Sequence, residues 1–275
     1  MDLKLFKHLT DDMLLKEKNK VLKFKQTGKN KTTFVGNNLL YHFQIQELSR
    51  THRKNKLSLV EIMASEIEVK KLEQQMERRN RTGTYESKLF ECWRIDNGSI
   101  CFFKMCNSTF LYKKYNATKV LDFTAGWGGR LLGAINLGIE YIGIDTNVNL
   151  KPGYDKLIDL FDYGAKATML YQSALDVDYE TLDYDFVLTS PPYEDIEVYS
   201  HMPYEGVDWF YKEFLIKLID KVRKYNKGKY TCINISPQMY KKLIGIYNYA
   251  PCDITEDLKE QKNGKTPDNI YIWMD

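Results

Sequence analysis

The feature that most constrains the fold is an alternation of short apolar runs and helical stretches that begins at residue 119. Strands that alternate with helices predict a doubly wound α/β fold with a mostly parallel sheet. The last two runs have no helix between them, so they predict a terminal hairpin whose final strand is antiparallel to its neighbours. Seven strands are predicted at residues 120–123, 141–145, 168–172, 186–189, 230–235, 252–258 and 269–273, with helices at 130–137, 148–161, 208–225 and 239–247.

The composition is that of a globular protein and excludes several other classes. The 275 residues are 43% hydrophobic, which provides enough apolar surface to offset the entropy of ordering the chain. No apolar run reaches the roughly 18 residues of a membrane span. Charged residues interrupt the N-terminal segment, unlike a secretory signal. We therefore expect a cytoplasmic protein with no membrane partner.

The five cysteines predict free thiols. Their number is odd, and Cys101 and Cys106 have no second close pair with which to form a zinc site. The four histidines are scattered along the chain. No metal is expected.

Charge divides the chain into a basic front and an acidic remainder. Residues 1–115 contain 23 Lys and Arg against 13 Asp and Glu, a net charge of +10. Residues 116–275 contain 17 against 24, a net charge of −7. This division predicts a basic, mainly helical N-terminal region that binds a polyanion, followed by a separate α/β domain. The residues expected to contact phosphates are Lys23, Lys25, Lys29, Lys31, Arg53, Lys54, Arg78, Arg79 and Arg81.

Several elements are predicted within the basic region. The apolar pattern indicates a helix at residues 11–27 and irregular structure at 28–57. A capping box formed by Ser58 and Glu61 predicts the start of one long helix that ends near residue 81. Short strands are predicted at 89–95 and 100–103, followed by a helix that leads to Tyr115.

A glycine-rich loop follows the first predicted strand of the sheet. Gly126, Gly128 and Gly129 let the backbone turn sharply and approach a ligand, while the next helix directs its N–H groups into the same crevice. Leu131 stands where the dinucleotide fingerprint has its third glycine, so the spacing suits a ligand without a pyrophosphate. Asp145 ends the next strand, where a carboxylate can accept both hydroxyls of a ribose.

The sequence Ser190-Pro191-Pro192-Tyr193 directly follows the fourth predicted strand. The prolines fix φ and remove two N–H donors, which leaves acceptors at a rigid edge of the sheet. Ser190 Oγ and the Pro191 carbonyl could accept the two N–H groups of a primary amine on a planar base. Tyr193 could stack on that base, an interaction worth about 1–3 kcal/mol.

These two stretches resemble motifs of a known family. Residues 122–130 are similar to the S-adenosylmethionine loop of class I methyltransferases. Residues 190–193 are similar to the catalytic (D/N/S)-P-P-(Y/F) tetrad of DNA amino-methyltransferases, which modify adenine N6 or cytosine N4. The resemblance covers roughly residues 116–275 and implies that S-adenosyl-L-methionine is the cofactor and that Ser190, Pro191, Pro192 and Tyr193 are catalytic. It implies cofactor contacts from Asp122, Phe123, Thr124, Ala125, Gly126, Trp127, Gly128, Gly129, Asp145, Thr146, Ser173 and Ala174.

Departures from the family pattern leave parts of this interpretation open. Family members often have an acid after the third strand that contacts the cofactor adenine, whereas Ser173 stands there, with Gln172 and Asp176 as alternatives. Serine at the first tetrad position resembles cytosine enzymes, but a cofactor loop that precedes the tetrad is commoner in adenine enzymes, so the target base stays open. No large recognition region follows the tetrad, so residues 1–115 are expected to recognise the target.

The resemblance implies methyl transfer to the exocyclic amine of a base flipped out of duplex DNA, at a cost of a few kcal/mol. A DNA-associated cytoplasmic enzyme and a cognate restriction endonuclease fit this interpretation. The alternatives are an RNA or small-molecule methyltransferase and a non-catalytic nucleic-acid-binding subunit. The oligomeric state is not indicated. Residues 194–209 are interpreted as a lip over the target base, Phe102 and Phe103 as a cover for the methionine end, and Phe123 and Trp127 as aromatic contacts.

Overall fold

A computed structural model describes residues 6–26, 33–79, 82–96, 100–194, 197–198, 205–257 and 269–275. Its main sheet has seven strands, and a separate two-stranded sheet joins distant parts of the chain. The main strands are β2 (Lys119–Asp122), β3 (Glu140–Ile144), β4 (Ala167–Leu170), β5 (Phe186–Thr189), β7 (Tyr230–Ile235), β8 (Ile254–Asp257) and β9 (Asn269–Met274). The small sheet pairs β1 (His52–Arg53) with β6 (Glu197–Val198).

The order of the main sheet is β4-β3-β2-β5-β7-β9-β8. The first five strands in this order are parallel, and β9 is antiparallel to both β7 and β8. This confirms the predicted mostly parallel, seven-stranded sheet with a terminal antiparallel hairpin, which is the class I methyltransferase fold. The predicted strands lie within one or two residues of those observed at most ends.

The helices cover both faces of this sheet. They are α1 (Asp11–Leu22), α2 (Asn37–Leu48), α3 (Leu59–Met63), α4 (Glu66–Arg78), α5 (Tyr85–Asp96), α6 (Met105–Lys114), α7 (Gly129–Leu137), α8 (Lys151–Leu160), α9 (Val207–Trp209), α10 (Lys217–Tyr225) and α11 (Pro237–Gly245). A π-helical segment, Phe210–Ile216, joins α9 to α10 in one helical run. Because side chains alternate along a strand, Val120 faces one hydrophobic cluster with α7 and α8, while Leu121 faces another with α10 and α11.

Three predictions about secondary structure in the N-terminal region are wrong, besides that of the long helix described below. Residues 37–48 form α2 rather than irregular structure, and residues 89–95 belong to α5 rather than to a strand. Residues 100–103 are not a strand either. The α5 sequence contains three aromatic residues, which are common in strands, but its buried positions Leu89, Phe90, Cys92 and Trp93 follow helical spacing. In α2 six of twelve residues are buried, so no single polar face marks it as a helix.

The long helix predicted after residue 58 is two helices. The Ser58–Glu61 capping box is confirmed, with Ser58 Oγ accepting from the Glu61 N–H at 3.2 Å. Ala64 ends α3, and Ser65 caps α4 by accepting from Glu68 N–H at 3.4 Å. A second capping serine within the apolar repeat, with an extended backbone, therefore begins a separate helix. The predicted helix at 11–27 ends at Leu22.

The N-terminal helices share a core with the sheet. Val21 and Leu40 are buried in the same hydrophobic cluster as Leu132 and Tyr154. Contact between α2 and α8 is so close that a Cβ on Gly153 would lie 2.4 Å from Gln44 Oε1. The two sides of residue 115 are thus packed together through apolar side chains. Their division into separate domains stays a prediction.

The described residues contain no helix that is both long and apolar enough to cross a bilayer. The five cysteines all lie among the described residues and form no disulfide there, and three of them are buried. Among the same described residues, no three His, Cys, Asp or Glu side chains lie close enough to hold a metal ion.

Replacing Gly129 with alanine is expected to destabilise the fold. An added Cβ would lie 1.8 Å from the Phe103 carbonyl oxygen, so the start of α7 and the segment before α6 would have to separate. We expect a loss of about 1–3 kcal/mol in the free energy of unfolding, measured by urea denaturation. Gly164→Ala is the matched control, because no atom lies within 4 Å of its added Cβ, and it should change stability by less than about 0.5 kcal/mol. Equal losses in the two variants would contradict the contact.

Candidate active site

The glycine loop (residues 122–130) and the tetrad (residues 190–193) meet at the carboxyl edge of the sheet. Their strands, β2 and β5, are parallel neighbours with Leu121 opposite Val187, so the two loops leave the sheet side by side. The Thr124 N–H donates to Thr189 Oγ1 at 3.1 Å, and the two threonine hydroxyl oxygens are 2.5 Å apart. Two motifs some sixty residues apart in sequence thus form one site.

Asp122 lies beneath the glycine loop and is fully buried. Its Oδ2 accepts from Arg130 Nε at 2.6 Å and from the Tyr141 hydroxyl at 2.7 Å, and its Oδ1 accepts from the Thr189 hydroxyl at 2.9 Å. Arg130 also donates to the Thr124 carbonyl. Both carboxylate oxygens are therefore occupied inside the protein. The cofactor contact of Asp122 stays a prediction, and in this structure the residue supports the loop from below.

The glycine loop depends on two residues with positive φ. Gly126 has φ 57° and Gly128 has φ 93°, a region that L side chains rarely adopt. The Tyr154 hydroxyl lies 3.1 Å from the Ala125 carbonyl oxygen and 3.0 Å from that of Gly126, and it donates its proton between them. No sequence pattern indicates this contact, because Tyr154 lies on α8 and reaches the loop only through tertiary packing.

Exposure divides the predicted cofactor contacts into two groups. The residues behind the surface of the site are Phe123, Ala125, Gly128, Gly129 and Ala174. The half-buried or exposed residues are Thr124, Gly126, Trp127, Asp145, Thr146 and Ser173. The aromatic contact predicted for Phe123 is corrected, because its ring is 1% exposed and lies in the core with Ile144 and Val187. Trp127 packs against Phe102 with ring centroids 6.0 Å apart.

Asp145 stands at the end of β3 with its carboxylate facing the glycine loop. Oδ2 accepts the Gly126 N–H at 2.8 Å, and Oδ1 accepts the Asn147 N–H at 2.9 Å. Each oxygen keeps a second lone pair, so the carboxylate can still accept two hydroxyls. Burial raises the pKa of Asp145 to about 6, although the two backbone N–H groups oppose this shift. The Asn147 side chain donates to Glu47 of α2 at 2.7 Å, which ties this turn to the N-terminal region.

The residues present fit the cofactor that the resemblance implies. Tyr171 directly follows β4 in the chain. The preceding residue, Leu170, accepts the Asp145 N–H through its carbonyl, so Tyr171 lies at the same edge of the sheet as Asp145. That hydroxyl is buried and has no hydrogen-bond partner among the described residues. A buried unpaired hydroxyl is unfavourable, and a polar ligand at this edge would satisfy it.

The Ser173 hydroxyl oxygen accepts the Leu175 N–H at 3.2 Å. The residue that would contact the adenine amine of the cofactor therefore stays open.

The tetrad is held at both ends by side chains that sequence reasoning missed. Ser190 Oγ donates to Asn234 Oδ1 at 3.1 Å, at the end of β7. The residue after the tetrad, Glu194, accepts from Lys242 of α11 at 2.9 Å and from the Tyr211 hydroxyl of the π-helical segment at 2.7 Å. Glu194 is therefore an anchor rather than part of a free acidic lip. Residues 195–196 and 199–204 of the predicted lip lie outside the described residues.

Most of the expected phosphate-binding residues that the structure describes lie at the surface. Lys23, Lys25, Lys54 and Arg78 are exposed, and Arg53 is half-buried in β1. Arg79 instead pairs with Asp96 at 2.5 Å within the protein, which makes it a structural residue in this arrangement. Lys29, Lys31 and Arg81 lie outside the described residues.

The small sheet links the basic region to the tetrad. His52 pairs with Val198 and Arg53 with Glu197 in antiparallel register. The segment that follows the tetrad is therefore hydrogen-bonded to a strand of the basic region. Through this pairing the backbone of Arg53, one of the predicted phosphate-binding residues, is joined to the segment that follows the tetrad.

The structure is similar to several solved methyltransferases, with low TM-scores and low sequence identities. The methyltransferase domain of bacterial CtHen1 is 14% identical with a TM-score of 0.44, covering 62% of this chain and 96% of that one. An rRNA methylase from Streptococcus thermophilus is 9% identical with a TM-score of 0.44, covering 63% and 97%. Magnesium protoporphyrin IX methyltransferase from Synechocystis PCC 6803, with bound SAM, is 14% identical with a TM-score of 0.43, covering 74% and 96%. With TM-scores below 0.5 and identities of 9–14%, these similarities are not used to assign a function, and the fold assignment rests on the strand order.

No protein-family model matches the sequence, and a search of curated proteins finds no relative.

Replacing Asp122 with asparagine is expected to destabilise the protein strongly. The change leaves the Arg130 guanidinium, itself 4% exposed, without its charge partner. Breaking a buried pair in this way costs about 3–5 kcal/mol, which chemical denaturation would measure. Glu213→Gln breaks the exposed pair with Lys217 and should cost at most about 1 kcal/mol. A small loss for Asp122→Asn would show that the buried ion pair does not hold the loop.

Proposed function

We propose that this protein transfers a methyl group from S-adenosylmethionine to the exocyclic amine of a base flipped out of DNA, either cytosine N4 or adenine N6. The observation that carries the proposal is the direct contact between the glycine loop and the tetrad-bearing strand through Thr124 and Thr189. A cofactor loop and an amine-binding tetrad at one edge of the sheet supply both halves of a methyl-transfer site. The acidic Asp145 turn beside them supports a ribose-bearing cofactor.

The cofactor supplies a methyl group that is already activated by its sulfonium, so the chain mainly has to position the amine. Ser190 Oγ and the Pro191 carbonyl accept the two N–H groups of the amine and favour a pyramidal nitrogen whose lone pair faces the methyl. When bound, S-adenosylmethionine would supply the methyl carbon, with the carbon–sulfur electron pair leaving on sulfur, and the methylated amine would then release its extra proton to water. Tyr193, half-buried beside Ser190, stacks on the base.

The charge distribution supports DNA as the substrate. The exposed lysines of the basic region contact the phosphates of the DNA backbone in this proposal. Strand β1 connects that region to the segment after the tetrad. A cognate restriction endonuclease and association with cellular DNA belong to the same proposal. The alternative is an amino group of an RNA base, because the tetrad geometry does not distinguish the two sugars.

Sequencing of methylated bases in DNA from cells that express the protein tests the proposal. We expect one modified amino base in a defined sequence context, and none in cells that express Ser190→Ala or Tyr193→Ala. Both variants should bind S-adenosylmethionine as the wild type does, because the tetrad receives the base. Methylation that appears in RNA alone would replace DNA with the alternative substrate. Loss of cofactor affinity equal to the loss of turnover would refute the assigned roles.

The affinity for S-adenosylmethionine should depend on the charge of Asp145. Since its pKa is about 6, the carboxylate is mostly ionised at pH 7 and mostly protonated at pH 5, so affinity should fall up to about tenfold between them. A raised pKa means that protonation of this group favours the folded state, so unfolding at Asp145 does not explain the loss. Calorimetry at both pH values measures the effect. Asp145→Asn should bind weakly at both, and an identical pH profile for this variant would remove the role.

Salt dependence should show where the DNA backbone lies. Changing Lys23 and Lys25 to glutamine should lower the slope of log K against log salt by about 2, because each phosphate contact contributes about 0.9. The control changes Lys212 and Lys217, which lie on the helical run over the opposite face of the sheet and should leave the slope unchanged. Fluorescence anisotropy with duplex DNA measures both, and equal slopes for the two variants would place the backbone elsewhere.

A further inference from the structure

Asn234 joins the tetrad to the terminal hairpin. It is 5% exposed and lies at the end of β7, where its neighbour Ile233 is paired with Thr189. Its Nδ2 donates to the backbone carbonyl of Asn269 at 3.2 Å, and its Oδ1 faces Ser190 Oγ at 3.1 Å. A carbonyl can only accept, so the Asn269 contact fixes which end of the amide points at the tetrad.

We propose that Asn234 is a positioning residue that makes the Ser190 oxygen an acceptor only, and so restricts the site to amino rather than keto groups. This inference rests on the proposed function. A serine hydroxyl has one proton and two lone pairs. With its proton committed to Asn234 Oδ1, Ser190 presents only lone pairs to the ligand.

The consequence is a choice between bases of nearly equal shape. Cytosine and adenine present an amino group where uracil and hypoxanthine present a carbonyl oxygen. An amine donates to Ser190 Oγ, whereas a carbonyl meets two acceptors, Ser190 Oγ and the Pro191 carbonyl. A site built to hydrogen-bond one group rejects the analogue that lacks it because buried polar atoms are then left unpaired. Asn234 has no proton to accept or release in the reaction, so it acts on orientation alone.

An aspartate at position 190 would not need this arrangement. An ionised carboxylate accepts hydrogen bonds from any rotamer, whereas a hydroxyl can rotate and donate. Because the Ser190 hydroxyl can rotate, the neighbouring Asn234 amide determines whether this oxygen donates or accepts toward the ligand. Low exposure at Asn234 also prevents water from taking its place.

The test compares two substitutions that differ in whether an acceptor remains. Asn234→Leu and Asn234→Asp both lose the amide that donates to Asn269, but only the aspartate keeps an oxygen toward Ser190. The substrate is unmethylated DNA with the sequence context that the protein modifies in cells. On this DNA we expect kcat to fall about 10- to 100-fold in Asn234→Leu and less than about fivefold in Asn234→Asp, with unchanged cofactor affinity. In a Ser190→Asp background, Asn234→Leu should lower kcat less than about threefold. Equal losses in both backgrounds would assign Asn234 a merely structural role and overturn the inference.

A binding measurement keeps the test independent of how well the variants fold. The wild type should bind DNA with the amino base at the target position at least tenfold more tightly than DNA with its keto analogue. The keto base sits in a mismatch and therefore flips out of the duplex more easily. Easier flipping would favour binding of the keto base, so weaker binding of that base must come from the pocket. Asn234→Leu should reduce the ratio to about one. A wild-type ratio near one would overturn the inference alone, whereas absence of transfer by the wild type to any nucleic acid would overturn the proposed function with it.

Discussion

The buried carboxylate of Asp122 is the interaction on which the rest of the site depends. A buried charge is unfavourable unless it is paired and hydrogen-bonded. The partners of the buried Asp122 carboxylate come from three separate elements. Arg130 belongs to α7, Tyr141 to β3 and Thr189 to β5. One group therefore sets the start of the helix behind the glycine loop, the strand that leads to Asp145, and the strand that precedes the tetrad. The glycine loop and the tetrad are therefore both positioned by the same buried carboxylate.

The tetrad receives its own support from the other side of the sheet edge. Asn234 fixes Ser190 at one end, while Lys242 and Tyr211 hold Glu194 at the other. Glu194 adopts φ 45°, an unusual value for a residue with a side chain, and the two hydrogen-bond donors explain how it is kept there. Tyr211 reaches it from a π-helical segment, a geometry often found at functional sites.

The sequence predicted the sheet more accurately than the region before it. Buried parallel strands are continuous apolar runs that end in turns, so periodicity locates them, and the loops that follow carry recognisable motifs. The helices α2 and α5 were missed because their residues pack on several sides, and aromatic content imitates a strand. The supporting residues Arg130, Tyr154 and Asn234 could not be assigned, because each acts through a partner brought close only by the fold. The hydrogen bonds of Asp122 to Tyr141 and Thr189 likewise depend on strands that are distant in sequence.

The core shared by the N-terminal helices and the sheet has a consequence for engineering. Leu40 and Leu132 are buried in one cluster, and Glu47 reaches across to Asn147. A chain cut at residue 116 would expose the apolar face of α7 and α8 to water and leave the Asp145 turn without its outer support. Retargeting such a protein by exchanging its front half for another would therefore require redesign of a buried surface. Substitutions on the outward faces of the front helices would leave that surface intact.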